Sequence, residues 1–170
     1  VGHQALTANT TGSGNIAVGK AALSVNTTGN YNVAIGQNSL DANSASNNTA
    51  VGHDALTANT SGSSNTAVGA ESLKSLTTSI DCTAVGYQAG AQGNGTQNTF
   101  IGRRAGYGGG GDGNIAIGRS CMEDANSSGD FNVCVGNTAG FNLQSGYNTA
   151  IGHESLNATT TGHSNTGVGH

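Results

Sequence analysis

Asn15-Ile16-Ala17-Val18-Gly19 decides the fold, because it returns nine more times along the chain. It reads NVAIG at 32–36, NTAVG at 48–52 and 65–69, CTAVG at 82–86 and NTFIG at 98–102. It continues as NIAIG at 114–118, NVCVG at 132–136, NTAIG at 148–152 and NTGVG at 165–169. Counted from Gly2, the closing glycines are spaced 17, 17, 16, 17, 17, 16, 16, 18, 16 and 17 residues apart. Self-similarity at so short a period is the mark of a stacked repeat architecture.

Within each copy the pattern alternates with period two, which is strand-like. Ile16 and Val18 point to one face, Asn15 and Ala17 to the other. The fourth position is always Val or Ile: Val18, Ile35, Val51, Val68, Val85, Ile101, Ile117, Val135, Ile151 and Val168. These ten are therefore the expected structural core. The preceding position is small in every copy but one: Ala17, Ala34, Ala50, Ala67, Ala84, Ala116, Cys134, Ala150 and Gly167, with Phe100 the exception. As an outward row it would let the same face of identical chains approach around a threefold axis.

Three residues after each glycine comes a second element. It is AL at 5–6, 22–23 and 55–56, SL at 39–40, 72–73 and 155–156, AG at 89–90, 105–106 and 139–140, and once Cys121-Met122. Leu is the expected partner from the opposite wall. Where Gly replaces it, the next residue (Ala91, Tyr107 or Phe141) is expected to take over the apolar contribution. A turn rich in Thr, Ser, Asn and Gly closes each period, and the Thr positions are expected to wander with coil length. The expected fold is all-β: a parallel β-solenoid of ten 16–18-residue repeats, one tract over 1–170.

One coil cannot stand alone. About three buried side chains contribute roughly 1.5–3 kcal/mol each, while ordering about 17 residues costs on the order of 1–2 kcal/mol per backbone residue. Only stacking closes that gap, as in repeat proteins held by neighbour contacts. Recurring Asn can form amide ladders between rungs, and Pro is absent because strands must donate their N–H groups. Ten coils at strand spacing span roughly 48 Å.

Composition narrows the function. The net charge is −4 and only 8% of residues are charged, with no basic run. That argues against a nucleic-acid surface. No apolar stretch approaches the roughly 18 residues of a membrane span, so no membrane insertion is expected. Val1-Gly2-His3 and Val168-Gly169-His170 share one phase of the motif. They read as a window of a longer array, or as a subunit continuing into its neighbours as a filament.

The pattern NTAVG-x-x-AL followed by NTTGxxN resembles repeats found upstream of the self-cleaving chaperone domains of phage tail fibres and bacterial surface fibres. It is also similar to the NSVAIG-x-x-S repeats in the heads of trimeric autotransporter adhesins of the YadA type, although those coils are shorter. The resemblance implies a left-handed parallel β-roll, usually trimeric, on a cell or virion surface.

No catalytic constellation emerges. His3, His53, His153 and His170 follow motif glycines at a position that elsewhere holds Lys, Gln, Ala, Tyr, Arg or Asn, which reads as a solvated turn. His153 and His170 would stack on adjacent rungs, but no second ligand pair accompanies them. GGGGDG at 108–113 lacks the strand and helix of a dinucleotide site and reads as a turn. Cys121 and Cys134 occupy small-residue positions and Cys82 an Asn position, so no disulfide is required. Neither cofactor, metal nor enzymatic activity is expected. Sequons at Asn9, Asn26, Asn59 and Asn126 share one repeat position in turns expected to be exposed, where a glycan could attach. The functional expectation is a structural or adhesive segment of an extracellular fibre, on a cell surface or virion, acting as a homotrimer and engaging a surface or glycan receptor. The alternative is a carbohydrate- or surface-binding module using rows of Thr, Asn and Ser.

Overall fold

The computed structural model describes every residue except position 125. Each motif forms one three-residue strand. They are β1 (Ile16–Val18), β2 (Val33–Ile35), β3 (Thr49–Val51), β4 (Thr66–Val68), β5 (Thr83–Val85), β6 (Thr99–Ile101), β7 (Ile115–Ile117), β8 (Val133–Val135), β9 (Thr149–Ile151) and β10 (Thr166–Val168). All ten lie in one parallel sheet in chain order, so the chain winds as a β-solenoid of about nine turns. Among the described residues there is no helix.

Register never slips. Ile16, Ala17 and Val18 pair with Val33, Ala34 and Ile35, and across the 18-residue period Ile115 still pairs with Val133. Differences in coil length are absorbed wholly in the turns. The strand threonines therefore do not wander: Thr49, Thr66, Thr83 and Thr99 form one unbroken column.

The sidedness of the sheet is opposite to that expected from the sequence. Val18, Ile35, Val68, Val85, Ile101, Ile117 and Ile151 are 37–42% exposed and Val168 is 74% exposed, while Val51 and Val135 are half-buried. They point outward. The interior belongs to the alternate row: Ala34, Ala50, Ala67, Ala84, Ala116, Cys134 and Ala150 are fully buried. The row read as an outward contact face is thus the inner wall.

Space explains the inversion. The coil is thin, and Leu23, Leu40, Leu56 and Leu73 reach across it from the opposite wall, each buried. A Cβ on Gly167 of β10 would lie 2.8 Å from Leu156 Cγ. Interiors are packed to crystal-like density, so a branched side chain at the strand centre has nowhere to go. Phe100, 2% exposed, is accommodated because its neighbours across the coil are Gly90 and Gly106. A Cβ on Gly90 would meet Phe100 Cδ2 at 2.8 Å, and one on Gly106 would overlap the ring. At Gly90 and Gly106 the volume lost with Leu is thus returned from the strand by Phe100, and at Gly140 it is filled by Leu143 and Cys134. Of the residues expected to compensate, only Ala91 is buried; Tyr107 and Phe141 are half-buried.

Left-handed backbone bends the coil. The inward-facing Leu6, Leu23, Leu40, Leu56, Leu73, Leu156 and Met122 all have φ between 47° and 55°, a region that costs an L-residue roughly 1–2 kcal/mol. Burial and lacing offset that strain. Leu23 N–H donates to Ser39 O at 3.0 Å and Leu40 N–H to Ala55 O at 3.0 Å, each in the next coil. At the motif glycine the requirement is steric as well as conformational. Gly36 has φ 135°, and a Cβ there would run into the Gly52 carbonyl one rung on.

Candidate functional site

The outward sheet face is the most regular surface on the molecule. Each strand presents two side chains to it. The first column is Ile16, Val33, Thr49, Thr66, Thr83, Thr99, Ile115, Val133, Thr149 and Thr166; the second is the ten Val and Ile residues of the motif. No charged residue interrupts either column. At about 4.8 Å per strand and 3.3 Å per residue the face measures roughly 48 by 10 Å. That flat face carries one continuous aliphatic row, Val or Ile on every strand, beside a mixed row in which Thr holds six of the ten positions.

Behind this face runs an asparagine column. Asn32 N–H donates to Asn15 Oδ1 at 2.9 Å, and the same bond recurs from Asn48 to Asn32 and from Asn65 to Asn48, each at 3.0 Å. The amide nitrogens of Asn15, Asn32, Asn48, Asn65, Asn98 and Asn114 donate in turn to a carbonyl of the following turn, as Asn32 Nδ2 does to Ala45 O at 2.8 Å, whereas those of Asn132, Asn148 and Asn165 donate to the amide oxygen of the preceding rung. The ladder thus links side chain to backbone between rungs, and it fills the corner where strand meets turn. Cys82 interrupts it: its Sγ donates to Gly95 O at 3.2 Å.

The candidate glycan positions do not form an exposed row. Asn26 and Asn59 are fully buried. Their amide nitrogens donate to Gly29 O at 3.0 Å and Gly62 O at 2.9 Å, and also to Asn9 Oδ1 and Asn43 Oδ1 of the preceding coil. Asn9 is half-buried with its Nδ2 on Gly12 O. Only Asn126 is exposed, its Nδ2 donating to Asp124 Oδ1. Folding closes this turn by amide hydrogen bonds, so the Asn26 and Asn59 side chains are not accessible in the folded chain.

Charged groups meet across rungs at two places among the described residues, the Arg104–Glu123 ion pair and a larger cluster around Asp54. His53, Asp54 and Glu71 bring their ligand atoms within 4.8 Å of one another. Lys74 Nζ sits among them, 3.1 Å from Asp54 Oδ2 and 3.8 Å from Glu71 Oε1. Burial pushes the Asp54 carboxyl up, but the Asn38 and Lys74 hydrogen bonds and the neighbouring cations hold it below its usual range. The Asp54 hydrogen bond raises Lys74. An ammonium group already holds the place a cation would take. His153 and His170 stack with ring centroids 4.9 Å apart, and all four motif histidines are exposed.

Aromatic side chains outside the strands cover backbone. Tyr31 lies over Gly14 and Phe131 over Gly113, where an added Cβ would meet the ring at 2.6–2.7 Å. Aromatic cover of glycine in β structure is a known stabilising device. Phe131 also stacks on Tyr147 at 5.5 Å, and the Arg104 guanidinium lies 4.3 Å over the Tyr107 ring. All three cysteines are free and buried. Cys121 Sγ donates to Cys134 O at 3.2 Å. The neighbouring Cys134 thiol, then burial, pushes the Cys121 thiol up.

Comparison with known protein families, with curated proteins and with solved structures found no match. No helix among the described residues is long and apolar enough to cross a membrane.

Proposed function

We propose that this chain is a structural or adhesive segment of an extracellular fibre, on a cell surface or virion, which works by assembly and carries no catalysis. The observation that carries the reading is the uninterrupted outward row of Val and Ile along all ten strands. A row of branched aliphatics with a repeat of about 4.8 Å finds its best complement in another row of the same pitch. A second copy supplies that pitch along the whole length, whereas a partner without it loses register within a few rungs. Three copies around an axis parallel to the solenoid would bury all three faces and leave none to recruit more chains. Closed symmetry of this kind is the usual form of a homo-oligomer. The contact row of the proposed trimer is therefore Val and Ile, with the small residues of the motif lying inside each coil.

Light-scattering mass in solution tests the assembly, with three times the 16.6 kDa chain mass expected. A monomeric mass would sink the reading. Electron microscopy of native material tests the fibre itself, through its length and symmetry.

The unbroken Thr49–Thr66–Thr83–Thr99 column favours a second reading, a module that binds a repetitive surface such as a polysaccharide. The Asn column of the motif (Asn32, Asn48 and Asn65) and the Ser residues Ser39 and Ser72 are buried and take no part in that surface. Specific hits for the isolated tract on a glycan array would favour it.

A further inference from the structure

We propose that Cys121 and Cys134 form an intrachain disulfide that closes the longest coil of the solenoid, while Cys82 stays a free thiol.

The two cysteines hold facing positions in one coil. Cys121 stands where the other coils place Ala or Ser, ahead of the buried Leu or Gly. Cys134 is the strand centre of β8, where other coils place Ala, Gly or, once, Phe. Both changes to Cys occur in the same period, Gly118–Gly136, the only one of 18 residues. Both thiols are fully buried in the same core, and Cys121 Sγ already reaches the Cys134 carbonyl at 3.2 Å.

The equivalent pair in the last coil indicates how the side chains face each other. Ser155 takes the place of Cys121 and Gly167 that of Cys134. Ser155 Oγ donates to Gly167 O at 2.9 Å, the counterpart of the Cys121–Cys134 contact. A Cβ built on Gly167 would lie 2.9 Å from Ser155 Oγ. A γ atom on one wall that close to a Cβ on the other matches the spacing of about 3 Å that an S–S bond sets between each sulfur and its partner's Cβ. Cys82 is placed otherwise: its sulfur lies against the Ile80 and Gly95 carbonyls.

Bond formation releases two protons and two electrons from the two thiols as Sγ joins Sγ. A small-molecule disulfide such as glutathione disulfide accepts them and leaves as two thiols. Exchange proceeds through the thiolate, which burial disfavours. The bond therefore forms while the coil is closing and is shielded once folding is complete. The cross-link limits the freedom of the open chain.

The test is refolding of the whole chain in a buffer of reduced and oxidised glutathione, then alkylation under denaturing conditions. Cleavage after Arg119 and Glu123 puts the two cysteines on separate peptides. A Cys121–Cys134 linked pair, with Cys82 alone alkylated, is the expected result. Three alkylated thiols, a link through Cys82 or a link between chains would overturn the proposal. Cys121→Ser and Cys134→Ala introduce residues that other coils carry at these places, so both variants are expected to fold. In the unaltered chain the oxidised form should melt several degrees above the reduced form. In either variant glutathione should leave the melting point unchanged, and an equal oxidative rise there would also overturn the proposal.

Discussion

At the scale of single residues the coil is governed by complementary volumes. Phe100 fits only because Gly90 and Gly106 face it. Phe100→Ala should cost about 3–5 kcal/mol, measured by denaturant unfolding. Gly106→Ala should be harmful in the unaltered chain and much less so when combined with Phe100→Ala, with a coupling energy of about 1 kcal/mol or more in a double-mutant cycle. Cys82 makes the opposite case. The Asn98 N–H faces its sulfur, which is a poor acceptor, where other rungs offer an amide oxygen. Cys82→Asn should restore the ladder and stabilise the chain by about 1 kcal/mol. Repeat length, strand position and the Asn ladder were all legible in the sequence. The sidedness of the sheet was not, because Val/Ile and Ala recur with equal regularity and hydrophobicity alone favours burying the larger pair. The signal that separates them was present: the only large residue of the Ala row, Phe100, falls between two successive coils in which Gly replaces Leu.

At the scale of the element, the strand holds register and the turn takes up variation. Nothing in the turn's composition distinguishes an exposed Asn from one bonded inside, which is why Asn26 and Asn59 read as surface positions although their amides lace adjacent coils. Charge tunes the corner after the motif glycine. The lowered Asp54 contributes stability above the ordinary carboxylate range, and this is lost as pH falls through its folded pKa. The raised Lys74 contributes below the ordinary lysine range, and this is lost as pH rises through its folded pKa. Both groups remain partly solvated, so the pair contributes at most about 1 kcal/mol. Lys74→Met should cause a small loss of melting temperature near neutral pH, and the difference from the unaltered chain should shrink at both extremes.

At the scale of the whole molecule, each sheet face has a different task. Inner residues hold the coil shut, and outer ones are free to meet another chain. Val68→Lys with Val85→Lys should leave the solenoid's circular dichroism intact and reduce the mass in solution to that of one chain. Ala67→Lys should abolish folding, since its Cβ points into a filled interior. Equal loss of folding in both cases would contradict the sidedness described above.

Rung-to-rung hydrogen bonds such as Gly36 N–H to Val18 O and Gly52 N–H to Ile35 O run along the rod and not around it. A single chain pulled by its two ends would therefore yield by peeling. Coils would detach one after another from a free end, each surrendering about 4.8 Å of rod and releasing roughly 55–60 Å of extended backbone. The same chain loaded sideways engages many rungs together, so its strength depends on the direction in which it is tethered.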